Sequence, residues 1–201
     1  MTTGQARSSP MAAADRRRAI LDAVGPLLVE KGASLTTAEI AQAAGIAEGT
    51  IFRVFPDKPA LIYEAVKATM DPNPVAAAIR AISVSAPMTT QLREAARVLL
   101  DHFNRGVALS GLLRSVPASH GAARCDVPRL ITAANAVISA ALTELFERHG
   151  QALRVPPPKA IAAFRGLIFA SGHPLLPPGE RLTIDEVVAV LLAGITRAGG
   201  S

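Results

Sequence analysis

The chain has little that could cross-link it, metallate it or fix it in a membrane. It holds one cysteine, Cys125, so no internal disulfide is possible. Its four histidines, His102, His120, His149 and His173, lie 18, 29 and 24 positions apart, unlike the spacing of metal ligands. Tryptophan is missing and aromatic residues make up 3% of the chain, which speaks against a flat stacking pocket. The longest charge-free apolar stretches, Leu130 to Thr143 and Gly166 to Gly179, fall short of the roughly 18–20 residues that cross a bilayer. Met1 to Ala14 is small and polar, without the apolar centre of a secretory signal, so the expected location is the cytoplasm, with no membrane association. No Gly-x-Ser-x-Gly elbow, phosphate-cradling glycine loop or metal-spaced cluster occurs. The expectation is a protein that is not an enzyme, with no catalytic residues, no cofactor and no metal; Cys125, just before Val127, reads as an incidental thiol.

What is present favours helices. Half of the 201 residues are hydrophobic, mostly Ala, Leu, Ile and Val, and 18% are charged. Length fits one compact body with an appendage. The net charge of +5 carries little weight by itself, because residues 1–70 hold eight basic against seven acidic side chains. Only Arg16, Arg17 and Arg18 form a basic triplet, which suits either a solvated helix start or a phosphate anchor.

Residues 1–14 show no periodicity and read as a disordered tail. A helix follows from Asp15 to Lys31, with Ile20, Val24, Leu27 and Leu28 on one stripe and a kink expected at Gly25-Pro26. Thr36-Thr37-Ala38-Glu39 has the form of a capping box, opening a short helix that stops at Gly45. A second short helix opens near Glu48 and carries Ile51, Phe52 and Phe55 up to Pro56. The pair makes a helix-turn-helix. Asp57 caps a third helix, which Asp71-Pro72-Asn73-Pro74 ends. The remainder reads as helices near 75–84, 88–104, 105–118, 127–149, 158–172 and 183–198, with no strand alternation. The expected architecture is therefore all-α: a helix-turn-helix domain over 15–70 and a helical bundle over 71–201.

The run TTAEIAQAAGIAEGTIFRVFPDKPAL, Thr36 to Leu61, resembles the DNA-binding segment of the tetracycline-repressor (TetR) family of bacterial transcriptional regulators. The likeness rests on Ile40-Ala41, Ala44-Gly45-Ile46, Gly49-Thr50-Ile51-Phe52, Phe55 and Lys58. Small residues at the start of the second short helix let its backbone approach a major groove, and Glu48 and Thr50 have side chains of the kind that read base edges. Glu48 equally suits the positive end of a helix dipole. The resemblance implies DNA contacts from Glu48, Gly49, Thr50 and Arg53. Phosphate contacts are expected from Arg16, Arg17, Arg18, Thr36 or Thr37, Arg53 and Lys58. Phe52, also among the expected DNA-binding residues, stands where the family often has a tyrosine; it cannot hydrogen-bond to phosphate, so core packing or a van der Waals contact is its expected role.

For the C-terminal body the resemblance implies a small-molecule site and a two-fold interface made by the last long helices. Asn135 interrupts the widest apolar stripe, where it would meet ligand, a partner copy or backbone. Arg97, Leu99, His102 and Phe103 are candidate pocket residues, and Ile131, Ile138, Leu142 and Leu145 candidate dimer contacts. The expected partners are a palindromic double-stranded DNA operator, a small apolar effector and a second copy of the chain, giving a homodimeric, ligand-responsive repressor. The rival reading is a helical small-molecule-binding or adaptor protein whose helix-turn-helix serves packing alone.

Overall fold

A computed structural model describes residues 13–115 and 127–196. Most of the expected tail, and His120 and Cys125, lie outside the described residues. The fold is all-α. Nine helices are described: α1 Ala13–Lys31, α2 Thr37–Ala43, α3 Glu48–Val54, α4 Lys58–Thr69, α5 Asn73–Arg80, α6 Met88–Ser115, α7 Val127–Glu147, α8 Pro157–Gly172 and α9 Ile184–Ile195. Among the described residues the one β contact is an isolated bridge between Leu153 and Thr196. No described helix is long and apolar enough to cross a membrane.

The described residues form two compact units, 13–69 with 108–115, and 70–107 with 127–196. In the first, α1 packs on α4 and α2, and α2 on α3. Ile20, Val24 and Leu28 of α1 are buried as their stripe requires, together with Ile40, Ile51, Phe55, Leu61 and Val66. Pro26 lies inside α1, which runs past it as a single helix although proline donates no hydrogen bond there. Its neighbour Gly25 has a packing reason: a Cβ there would stand 2.9 Å from Thr69 Oγ1 of α4.

The second unit is built around Leu92, Ala95 and Ala96 of α6, Leu142, Leu145 and Phe146 of α7, Phe164 of α8 and Val187 and Leu191 of α9. The Phe146 and Phe164 rings meet at 5.8 Å. Two expectations need correction. The helices expected at 88–104 and 105–118 are one helix, α6, because a single glycine, Gly106, costs a helix interior only about 1 kcal/mol and the apolar spacing runs on to the buried Leu109 and Leu112. The stripe expected to face a second copy faces inward: Ile138, Leu142 and Leu145 are buried in the unit's own core and have no surface left for a partner. Of the four, Ile131 alone is exposed.

The end of α8 lies against α6. A Cβ on Gly172 would stand 2.6 Å from Phe103 Cδ1 and 2.9 Å from Asn104 Oδ1. Gly172→Ala is therefore expected to cost about 1–3 kcal/mol. Gly106→Ala, in a helix interior with open space around it, is expected to add up to about 1 kcal/mol. Denaturant midpoints of the two variants test the contrast; equal midpoints would remove the steric argument.

Candidate DNA-binding surface and ligand cavity

The helix-turn-helix is assembled by local chemistry. Thr36 and Glu39 close a capping box, the Glu39 amide donating to Thr36 Oγ1 at 3.2 Å and the Thr36 amide to Glu39 Oε2 at 2.8 Å. Lys31 Nζ donates to Glu39 Oε1 at 2.7 Å. The Lys31 hydrogen bond first, then the Thr36 donors, lower the Glu39 carboxyl to about 2. Gly45 takes φ +64°, and the Ile46 amide donates back to the Ala41 carbonyl at 3.0 Å, closing the turn. The Ala60 amide donates to Asp57 Oδ1 at 2.7 Å and so opens α4.

α3 turns Ile51 inward, with Phe55 buried just beyond its end, and leaves Glu48, Gly49, Phe52 and Arg53 exposed; Thr50 is half-buried. Gly49 has open space where a side chain would start. Phe52 is 49% exposed, which leaves the van der Waals contact and not the core packing of the two roles expected for it. Core packing falls to its neighbour Ile51 and to Phe55.

The expected phosphate anchors divide into two groups. Arg17 turns inward: its Nη1 donates to the Val54 carbonyl at 3.3 Å, its Nη2 lies 3.5 Å from Glu64 Oε2, and its guanidinium sits 4.5 Å over the Phe55 ring. It is a clamp behind α3, not a free cation. Arg16 is half-buried and has interactions within the chain. The Thr36 hydroxyl donates to Glu39 and the Thr37 hydroxyl to Glu48, so both protons are already engaged. Arg18 faces outward, with Asp22 no nearer than 4.0 Å. Arg53 and Lys58 make no ion pair among the described residues.

In the second unit, Leu99, His102 and Phe103 of α6, Asn135 and Ile138 of α7, and Arg165, Gly166, Ile168 and Phe169 of α8 line a cavity of about 350 Å³. Four residues singled out from the sequence, Leu99, His102, Phe103 and Asn135, come together here. Arg97 is exposed and does not line it, because it lies off the inward face of α6. Sequence reasoning missed Arg165. Its Nη2 donates to Asn135 Oδ1 at 2.5 Å and its Nη1 to Ser139 Oγ at 2.7 Å. The available signal was a lone charge in the apolar run from Ala160 to Gly172. Burial lowers the Arg165 pKa below the ordinary guanidinium value, yet the group stays charged at neutral pH.

The sequence model for bacterial regulatory proteins of the tetR family matches residues 20–65. A TetR transcriptional regulator from Streptomyces coelicolor is similar across 91% of this chain and 99% of its own, at 24% identity and a TM-score of 0.63. A TetR-family regulator from Mesorhizobium loti aligns over 93% and 100%, at 20% identity and TM-score 0.61. The TetR-like regulator LfrR from Mycobacterium smegmatis, solved in complex with proflavine, aligns over 89% and 95%, at 24% identity and TM-score 0.55. A capped helix-turn-helix with an outward short helix, joined in one chain to a helical body, is the arrangement shared with these transcriptional regulators. Residues 20–65 of this chain thus match the DNA-binding segment of the tetR family, and the chain as a whole shares the fold of these regulators.

Burial, then the charge of Arg105, holds the His102 pKa below its ordinary 6.5, with Asp101 opposing. As pH falls through 6.5 the unfolded chain takes up a proton that folded His102 resists. The stability contributed by the neutral ring is therefore whole above pH 6.5 and declines below it. His149, also lowered, chiefly by burial, adds a slope of the same sign. Unfolding free energy followed by denaturant titration should fall from pH 7 toward 5, less steeply in His102→Gln. Parallel slopes would show that His102 titrates as an exposed histidine.

Proposed function

We propose that the protein is a ligand-responsive transcriptional repressor, acting in the cytoplasm as a homodimer on a palindromic operator and released by a small, largely apolar molecule. The exposed face of α3 carries this reading. A seven-residue helix that leaves Glu48, Gly49, Phe52 and Arg53 in solvent offers a narrow, small-residue leading end to a major groove. Glu48 accepts from cytosine N4, Thr50 and Phe52 meet thymine methyl groups, and Gly49 lets the backbone approach. Arg18, Arg53 and Lys58 hold phosphates, with the amides at the start of α4 beside Lys58. The Thr37 hydroxyl orients the Glu48 carboxylate before DNA arrives, a support for base readout that also restricts which base it meets.

Two copies are needed because one such helix reads too few bases for tight, specific binding. Paired recognition helices would enter grooves about 34–36 Å apart. The outward faces of the last two helices support this pairing: Ala162, Ala163, Gly166 and Phe169 on α8, and Ala189, Val190, Ala193 and Gly194 on α9, are all exposed and uncharged. Small residues at helical spacing let helices pack closely. The cavity supplies the effector site, and an effector that binds the DNA-incompetent state more tightly releases the operator through that difference alone.

In a shift assay against the promoter upstream of its own gene, the chain should bind with an affinity that falls steeply with salt. Arg53→Ala and Lys58→Ala should each weaken binding on all sequences and reduce the salt slope by about one. Glu48→Ala should instead relax preference at one base position. A salt slope near zero would sink the DNA-binding reading.

The dimer is tested separately. Ala163→Glu and Val190→Glu place charges on the exposed faces without touching the core, and each should convert a dimer to monomers in sedimentation velocity. A wild-type chain that sediments as a monomer at micromolar concentration would count against the paired arrangement.

A further inference from the structure

The cavity is small, at the lower end of the roughly 300–1,000 Å³ typical of ligand sites, and its wall is apolar apart from three side chains. Leu99, Ile138 and Ile168 are buried and Phe103 meets Phe169 edge to face at 5.1 Å. Against this wall stands one positive charge. Every hydrogen bond of Arg165 goes to a neutral acceptor: the Asn135 side chain, the Asn135 carbonyl at 3.5 Å and the Ser139 hydroxyl. The Nε proton and one Nη2 proton have no partner among the described residues.

The acids on the surrounding helices do not answer this charge. α8 carries none. On α6, Asp101 is paired with Arg105. Glu144 of α7 pairs with Arg80 at 3.0 Å, and Asp185 of α9 with Arg93 at 2.5 Å. No described carboxylate lies within salt-bridge distance of Arg165. A half-buried cation with neutral partners alone keeps part of its desolvation cost, which a negative charge brought to it relieves. His102, also of this wall, has a buried Nδ1 with no hydrogen-bond partner among the described residues.

We propose that the cavity selects an apolar molecule bearing a single carboxylate, which pairs with the free edge of Arg165 while its hydrocarbon part lies against Leu99, Ile138, Ile168 and Phe103. The proposal rests on the reading of the cavity as an effector site and narrows the expected apolar effector to an anionic amphiphile. A guanidinium recognises a carboxylate through parallel N–H donors, a contact that a neutral hydroxyl cannot match and that a cation opposes. Asn135 and Ser139 then act as positioning residues, holding the guanidinium plane.

Binding of matched probes to the full-length chain, read by isothermal titration calorimetry, tests this: octanoate, octanol and octylamine, and 4-phenylbutyrate with 4-phenylbutanol. Each carboxylate should saturate one site per chain, roughly ten- to hundredfold tighter than its alcohol, with octylamine the weakest of the eight-carbon series. Arg165→Gln should erase the gap between acid and alcohol while leaving alcohol affinity within about twofold, and Arg165→Lys should restore part of it. Equal affinity of acid and alcohol for the wild type, a preference that survives in Arg165→Gln, or no saturable binding of either carboxylate would each overturn the proposal. The wild-type comparison decides even if Arg165→Gln fails to fold, which circular dichroism reveals. The operator shift assay on the same preparation separates the two ideas: salt-dependent DNA binding with no carboxylate preference removes this proposal alone, whereas a carboxylate preference with no DNA binding removes the regulatory reading and leaves the ligand class standing.

Discussion

A seven-residue helix cannot hold itself together in water, since a helix needs roughly 12–15 residues before its own hydrogen bonds outweigh nucleation. α3 has to be held from behind so that its front can stay bare. Ile51 and Phe55 supply the apolar part of that hold, and Arg17 the polar part. The guanidinium accepts the cost of lying partly buried because it gains the Val54 carbonyl, the Glu64 carboxylate and the Phe55 ring together. The C-terminal carbonyls of a helix are its negative end, so a cation at Val54 also complements the dipole. One of the cations expected to anchor phosphate is therefore spent on geometry.

This division of labour explains why net charge is a poor guide in this chain. The first 70 residues are almost neutral, yet the acids there are mostly committed: Glu39 to the capping box and Lys31, Glu64 to Arg17, Glu48 to the Thr37 hydroxyl, Asp57 to an amide. Capping acids sit where backbone amides already concentrate positive potential, so they neutralise local dipoles and not the distant arginines. Arg18, Arg53 and Lys58 keep their charge for whatever approaches.

Much of the fold was legible because its signals are local. The Thr36–Glu39 box, Gly45 at positive φ, the Asp57 cap and the prolines after Asp71 each act within a few residues, and the helices begin and end where those residues say. What failed depended on tertiary packing. A break was expected between 104 and 105, but the apolar spacing on both sides carries α6 through Gly106. Ile138, Leu142 and Leu145 form a stripe that says only that the face is buried; whether by the same chain or by a second copy is not encoded in periodicity. The cavity shows the same split. Asn135 was visible as a polar interruption of an apolar stripe and Leu99, His102 and Phe103 as pocket candidates, whereas Arg165 took its meaning from Asn135, thirty residues earlier, across the gap between α7 and α8.

α8 brings these strands of the argument together, because one helix serves three environments. Ala160, Ile161, Phe164 and Ile168 fill the core, Arg165 faces Asn135 and Ser139, and Ala162, Ala163, Gly166 and Phe169 face outward. Gly166 and Phe169 belong at once to the cavity wall and to the outward face. A molecule that fills the cavity and displaces the Phe169 ring thereby changes the surface offered to a second copy. If that surface is the dimer contact, thermodynamic reciprocity follows: whatever factor the ligand exerts on dimer affinity, dimerisation exerts on ligand affinity. The small size of the residues around Phe169 sharpens the effect, since alanines and a glycine leave few other contacts to absorb a moved ring. An effector in this fold would then act on pairing and on ligand retention through one aromatic side chain, without any rearrangement of the buried core beneath it.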